Sequence, residues 1–155
     1  MVDNLESQRM KNKDLNHLYK VIVEVYNCLL KELSKLDNSV HTRFPHGCCD
    51  IASSLLIRIL KKEGFDDLKL VRGANFDNSY HVWVEYKDLI IDLTADQFDE
   101  INGAFILIEY NKYPLNKKPF FYKIDDNHTD ENWEYLDNLE LEFSKVFYEI
   151  YYKSL

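Results

Sequence analysis

Two apolar runs, Tyr80 to Tyr86 and Leu89 to Thr94, flank the dipeptide Lys87-Asp88. This pattern constrains the fold more than any other stretch. Both runs are rich in β-branched or aromatic residues, and a two-residue break between such runs is a hairpin signal. A hairpin commits the chain to antiparallel sheet, with side chains alternating between its faces. With the loop confined to Lys87-Asp88, Tyr86 pairs with Leu89, His81 lies across from Thr94, and Asp92 lies across from Trp83. His81, Trp83, Asp92 and Thr94 then share a face, with His81 and Asp92 as diagonal neighbours. A register shifted by two residues sets His81 directly against Asp92. A three-residue loop turns Asp92 to the opposite face.

The remaining elements follow from periodicity. Residues 1–12 are polar and read as a flexible lead-in. Leu15, Leu18, Ile22, Val25, Leu29, Leu33 and Leu36 recur at three- and four-residue steps, which predicts an amphipathic helix from about Asp14 to Leu36. Cys28 lies beside that stripe as a small buried hydrophobe. Turn formers Asp37-Asn38-Ser39 end the helix, and a loop with Pro45 follows. A second helix runs from about Cys48 to Glu63, with Ile51, Leu55, Ile59 and Leu60 facing inward and Gly64 as its stop. Leu68 to Arg72 reads as a strand. Ala104 to Tyr110 reads as another, with Phe105 and Leu107, then Ile106 and Ile108, buried on its two faces. Pro119 to Ile124 reads as a last strand and Asp125 to Asp130 as an acidic loop. A closing helix, capped by Thr129 or Asp130, reaches about Lys153 with Trp133, Leu136, Phe143, Phe147 and Ile150 on one face. The expectation is one α+β domain over 1–155, with helices packed on a mainly antiparallel sheet.

Composition narrows the function. The net charge is −8 over 155 residues, which disfavours a nucleic-acid partner, since binding there needs Lys and Arg against phosphates. The same balance leaves no basic face for an anionic membrane. No stretch approaches a membrane span, and the N-terminus has no signal-peptide pattern. Three cysteines without such a signal read as reduced thiols in a cytoplasmic protein.

The stretch Phe44-Pro45-His46-Gly47-Cys48-Cys49-Asp50-Ile51-Ala52-Ser53 carries a loop into the second helix and sets two thiols at its start. Unsatisfied N–H groups and the helix dipole favour negative charge there. That placement is expected to lower a thiol pKa and make a nucleophile. A His–Asp pair on the neighbouring sheet supplies the complement. The carboxylate fixes the imidazole tautomer, and the imidazole takes the thiol proton and later returns it to a leaving group. Buried structural cysteines are the plainer reading, but the flanking His46, Gly47 and Asp50 are polar for a core. A zinc site from His46, Cys48, Cys49 and Asp50 fails for want of a second ligand pair, so no metal is expected.

Gly47-Cys48-Cys49-Asp50-Ile51-Ala52-Ser53 resembles the Gly-x-Cys-x-x-x-(Ser/Ala) stretch of papain-like and transglutaminase-like cysteine enzymes. His81-Val82-Trp83-Val84-Glu85 is similar to the His-(Ala/Val)-Trp-x-Glu strand of the transglutaminase-like core. Ile91-Asp92-Leu93-Thr94 resembles its Asp-Pro-Thr strand, with Leu93 in place of Pro. The resemblance covers about residues 44–97 and implies that core, with the nucleophile at a helix N-terminus. It implies Cys49 as nucleophile, Cys48 as the variable residue, His81 as base and Asp92 as its orienter. It also implies a glutamine shortly before the cysteine in papain-like members, where the nearest here is Gln8. Oxyanion donors are instead sought in the Cys49 N–H, His46, Asn38 and Gln97.

The reading is cysteine-dependent acyl chemistry on an amide or ester through a thioester. Hydrolysis comes first, as a peptidase, amidase or glutamine deamidase. Transfer to an amine acceptor is one alternative, and a catalytically silent peptide- or protein-binding module in the same cleft is another. Cys48, His46, Gly47, Trp83 and Gln97 are the supporting or substrate-contacting candidates. The substrate is a peptide, protein or small amide, and no cofactor is called for.

Overall fold

The computed structural model describes residues 2–33, 47–128 and 138–155. Helix α1 (Val2–Leu33) is followed by α2 (Cys49–Lys62), then strands β1 (Leu68–Ala74), β2 (Tyr80–Tyr86), β3 (Leu89–Asp92), β4 (Phe105–Glu109) and β5 (Lys123–His128), and finally α3 (Asn138–Ser154). The strands form one antiparallel sheet in the order β4-β3-β2-β1-β5. The architecture is α+β, with the three described α-helices on one face.

The hairpin adopts the two-residue loop. Tyr86 pairs with Leu89, Glu85 with Ile90 and Val84 with Ile91. Lys87 turns the chain with φ 54°. Side-chain alternation then sorts the sheet into two faces. Leu70, Val82, Val84, Ile91 and Leu93 meet α2, which brings Ile51, Leu55, Leu56 and Ile59. Leu18, Ile22, Val25 and Leu29 of α1 and Phe143, Phe147 and Tyr151 of α3 complete that layer. On the other face Val71, Trp83 and Ile90 lie beneath Ala95, Tyr113, Leu115 and Phe121. Among the described residues no α-helix covers this second layer. It is roofed by the connections on either side of β4, mostly with aromatic rings.

Several boundaries differ from the sequence reading. Helix α1 starts at Val2, so the expected lead-in has helical backbone. Its Glu, Gln, Met, Lys and Arg residues are good helix formers without an apolar stripe, and propensity extends the helix where periodicity is silent. The end of that helix beyond Leu33 lies outside the described residues, as does the loop before Gly47. Strand β4 is only half-buried along most of its length, because it lies at the sheet edge and neither layer reaches fully over it. The last strand begins at Lys123 instead of Pro119. Phe120 and Phe121 turn inward ahead of it as part of the aromatic roof, and the expected acidic loop supplies strand residues 125–128. Helix α3 covers Asn138–Ser154; the expected start at Thr129 or Asp130, with Trp133 and Leu136, lies outside the described residues. No helix among the described residues is long and apolar enough to cross a membrane.

Candidate functional site

His81 and Asp92 meet at the open end of the hairpin. Imidazole Nε2 lies 2.7 Å from Asp92 Oδ2, and both side chains are fully buried. The diagonal register is what brings them together. The carboxylate is then saturated with donors. Tyr113 Oη–H donates to Oδ2 at 2.6 Å. The Thr94 backbone N–H and hydroxyl reach Oδ1 at 3.1 and 3.4 Å. A buried charge is tolerable only when its lone pairs are used, and here each oxygen has two partners. Burial first, and then the Asp92 charge, raise the Tyr113 hydroxyl well above its ordinary pKa, so it stays a donor.

Aromatic rings shut water away from the imidazole. Phe98 stands edge-on at 5.0 Å, and Phe121 and Trp83 lie at 5.7 and 5.9 Å. In such a low-dielectric setting the His–Asp bond is stronger than it would be in water. Trp83 is itself held by its indole N–H, which donates to Glu85 at 3.2 Å.

The second ring nitrogen is also taken. Gln97, in the 3-10 turn Ala95–Gln97, places its Nε2 3.0 Å from His81 Nδ1. Its Oε1 accepts from the Gly47 N–H at 3.4 Å. Gln97 thus ties the imidazole to the loop that enters α2. Gly47 holds φ 71°, a left-handed conformation that suits glycine.

Cys49 is the first residue of α2, and Cys48 is its N-cap. The helix N-terminus does not win at either thiol. Burial, and then the nearby Asp50 charge, push the Cys49 thiol far above its usual range, with Asp92 adding to the rise. Backbone hydrogen bonds at Val82 and Asp50 act in the opposite direction. Cys48 is pushed up to about 12 by burial and then by Glu140 of α3. This corrects the expectation of a lowered pKa: both thiols are buried, and desolvation of the thiolate outweighs a dipole term worth roughly 1 kcal/mol. The two cysteines nevertheless face different surroundings. Cys49 sits against β2 at Val82 and feels Asp92, whereas Cys48 faces α3.

Asp50 follows Cys49. One of its oxygens lies 4.0 Å from Cys49 Sγ, and the other accepts from Tyr80 Oη–H at 3.3 Å. Burial raises the Asp50 carboxyl to about 6, against the pull of Tyr80, Arg72 and His81. One turn further on, Ser53 donates to the Val82 carbonyl at 3.4 Å and pins α2 to β2.

The structure therefore brings His81, Asp92, Gln97 and Trp83 together, with Gly47 at their edge. The thiol of Cys49 is at the same end of β2, but Gln97, not the thiol, holds His81 Nδ1. Among the expected oxyanion donors, His46 and Asn38 lie outside the described residues. Tyr113, Phe121 and Asp50 complete the site, and sequence reasoning did not single out the first two. Tyr113 and Phe121 stand in irregular connections, where no periodicity marks a residue as inward-facing. Among the described residues no group of His, Cys, Asp and Glu is arranged to hold a metal ion. No protein-family model matches the chain, and no curated protein or solved structure matches it either.

Proposed function

We propose that this protein is a cysteine enzyme with a transglutaminase-like or papain-like core, performing acyl chemistry on an amide or ester. The observation that carries this reading is the buried His81–Asp92 pair, saturated with donors and placed at the end of β2 where Cys49 opens α2. Neither core packing nor a binding role calls for a sealed imidazole–carboxylate pair whose carboxylate acts electrostatically on a cysteine at a helix start. Cys49 Sγ attacks the carbonyl carbon as His81 takes its proton. The tetrahedral intermediate collapses to a thioester while the imidazolium protonates the leaving amine or alcohol. Water, activated by the same imidazole, releases the acid, so the overall reaction is hydrolysis. The raised thiol pKa argues for proton transfer coupled to attack, with no standing thiolate. His81 is oriented by Asp92 throughout, and Cys48 takes no part.

A burst experiment with p-nitrophenyl acetate tests the reading. The expected result is an acetyl group on Cys49, located by mass spectrometry. Cys49→Ala abolishes it, Cys48→Ala leaves it, and His81→Ala slows it by about 10²–10⁴-fold. Acylation indifferent to His81 overturns the proposal and leaves a silent binding module as the better account. Methylamine in the reaction separates the outcomes further: N-methylacetamide in place of acetate marks transfer.

A further inference from the structure

Gln97 occupies the atom of His81 that the proposed chemistry needs. The Gly47 backbone N–H can only donate, so the Gln97 atom facing it at 3.4 Å is the carbonyl oxygen. The atom facing His81 Nδ1 at 3.0 Å is then the amide nitrogen, which donates. Nδ1 must present its lone pair, and the ring proton is left on Nε2, where it points at Asp92 Oδ2. The three hydrogen bonds fix one another. They select the neutral tautomer that a general base requires, and they fill its basic lone pair with Gln97.

The carboxamide also lies as a reacting amide would. Its oxygen is on a backbone N–H two residues before Cys49, and its nitrogen is on the imidazole that would protonate a leaving amine. We infer that Gln97 is an internal ligand of this site, a latch whose carboxamide stands in for the substrate's amide and must swing away before His81 can accept the Cys49 proton. The inference rests on the cysteine-enzyme reading. The latch is mounted for such movement. It belongs to a single turn held by main-chain bonds, Gln97 N–H to Thr94 O and Phe98 N–H to Ala95 O. Rotating the half-buried side chain disturbs neither. Until it moves, the resting protein keeps a protonated thiol and an occupied base, guarding the cysteine from adventitious alkylation.

Iodoacetamide labelling of Cys49 between pH 5 and 9, read by mass spectrometry, tests the latch in the parent chain, Gln97→Ala and Gln97→Met. The methionine variant keeps the side-chain volume if the alanine one unfolds. Loss of two neutral hydrogen bonds to the carboxamide is expected to speed labelling about tenfold. The gain in rate should depend on His81, and adding His81→Ala should abolish it. Propionamide should slow Gln97→Ala back towards the parent rate by refilling the vacated position. N,N-Dimethylpropionamide, which has no N–H to give Nδ1, should not. If Gln97→Ala and Gln97→Met label no faster than the parent while p-nitrophenyl acetate still acylates Cys49 through His81, the latch is overturned and the enzyme reading stands. If acylation does not need His81 either, both fall.

Discussion

Asp50 carries a carboxyl raised to about 6, chiefly by burial, immediately after the cysteine proposed to react. Its folded pKa lies above the ordinary value of 3.8, so protonation favours the folded state. The stability this group contributes is full below about pH 4 and is lost as pH rises through about 6. At neutral pH an ionised Asp50 is a liability, and it also holds up the neighbouring thiol. Asp50→Asn is therefore expected to raise the melting temperature at pH 7.5 and to change it far less at pH 4.5, measured by thermal circular dichroism. The same substitution should quicken alkylation of Cys49 at pH 8 by about tenfold, since a like charge near the thiolate is gone. Tyr113 poses the opposite case. Its hydroxyl is one of four donors on Asp92, and Tyr113→Phe leaves a buried carboxylate one donor short. A loss of about 1–3 kcal/mol in urea denaturation is expected; an unchanged midpoint would mean that Asp92 finds a replacement donor.

At the level of elements, β1 and β2 show why the site face is so closely built. Gly73 pairs with His81 across the ladder, and a Cβ there would come within 2.7 Å of Trp83 Cη2 and of Phe121 Cβ. The Trp83 ring lies over the glycine because nothing projects from it. Gly73→Ala is expected to cost about 1–3 kcal/mol through overpacking and to move Trp83, which a shifted His81 imidazole resonance would report. The hairpin itself was legible in the sequence: alternation and a two-residue break leave little choice of register, and the register alone delivers His81 to Asp92. Helix α2 was legible in the same way, from its period and its Gly64 stop, and the inward stripe of α1 from its period alone. Gln97 was visible only as a residue near the cleft, because a single 3-10 turn has no period to aim its side chain. The pKa of Cys49 was misjudged for a related reason. A helix start is a local feature, whereas burial of the thiol is decided by β2 and by the residues packed around it.

For the whole molecule, the sheet separates two cores of different origin. The helical layer is mostly aliphatic, with Phe143, Phe147 and Tyr151 from α3, and its residues announce themselves by spacing. The opposite layer is aromatic, drawn from connections around β4 and before β5, and it is the one that encloses His81. Both layers share β2, so neither can be lost without exposing the other side of the same strand. Phe147 of α3 is fully buried in the first layer and Phe121 is nearly so in the second. Truncating either to alanine is expected to lower stability by about 3–5 kcal/mol, with a single cooperative transition in each case. Their consequences for the site should part company. Phe121 lies 5.7 Å from the imidazole and 5.5 Å from Phe98, so Phe121→Ala admits water to His81 and weakens its bond to Asp92. Under conditions where both variants are folded, Phe121→Ala should shift the His81 ring resonances, while Phe147→Ala should leave them at the parent values. Equal shifts in both variants would mean that the two layers are one mechanical unit and that the aromatic roof has no special hold on the imidazole.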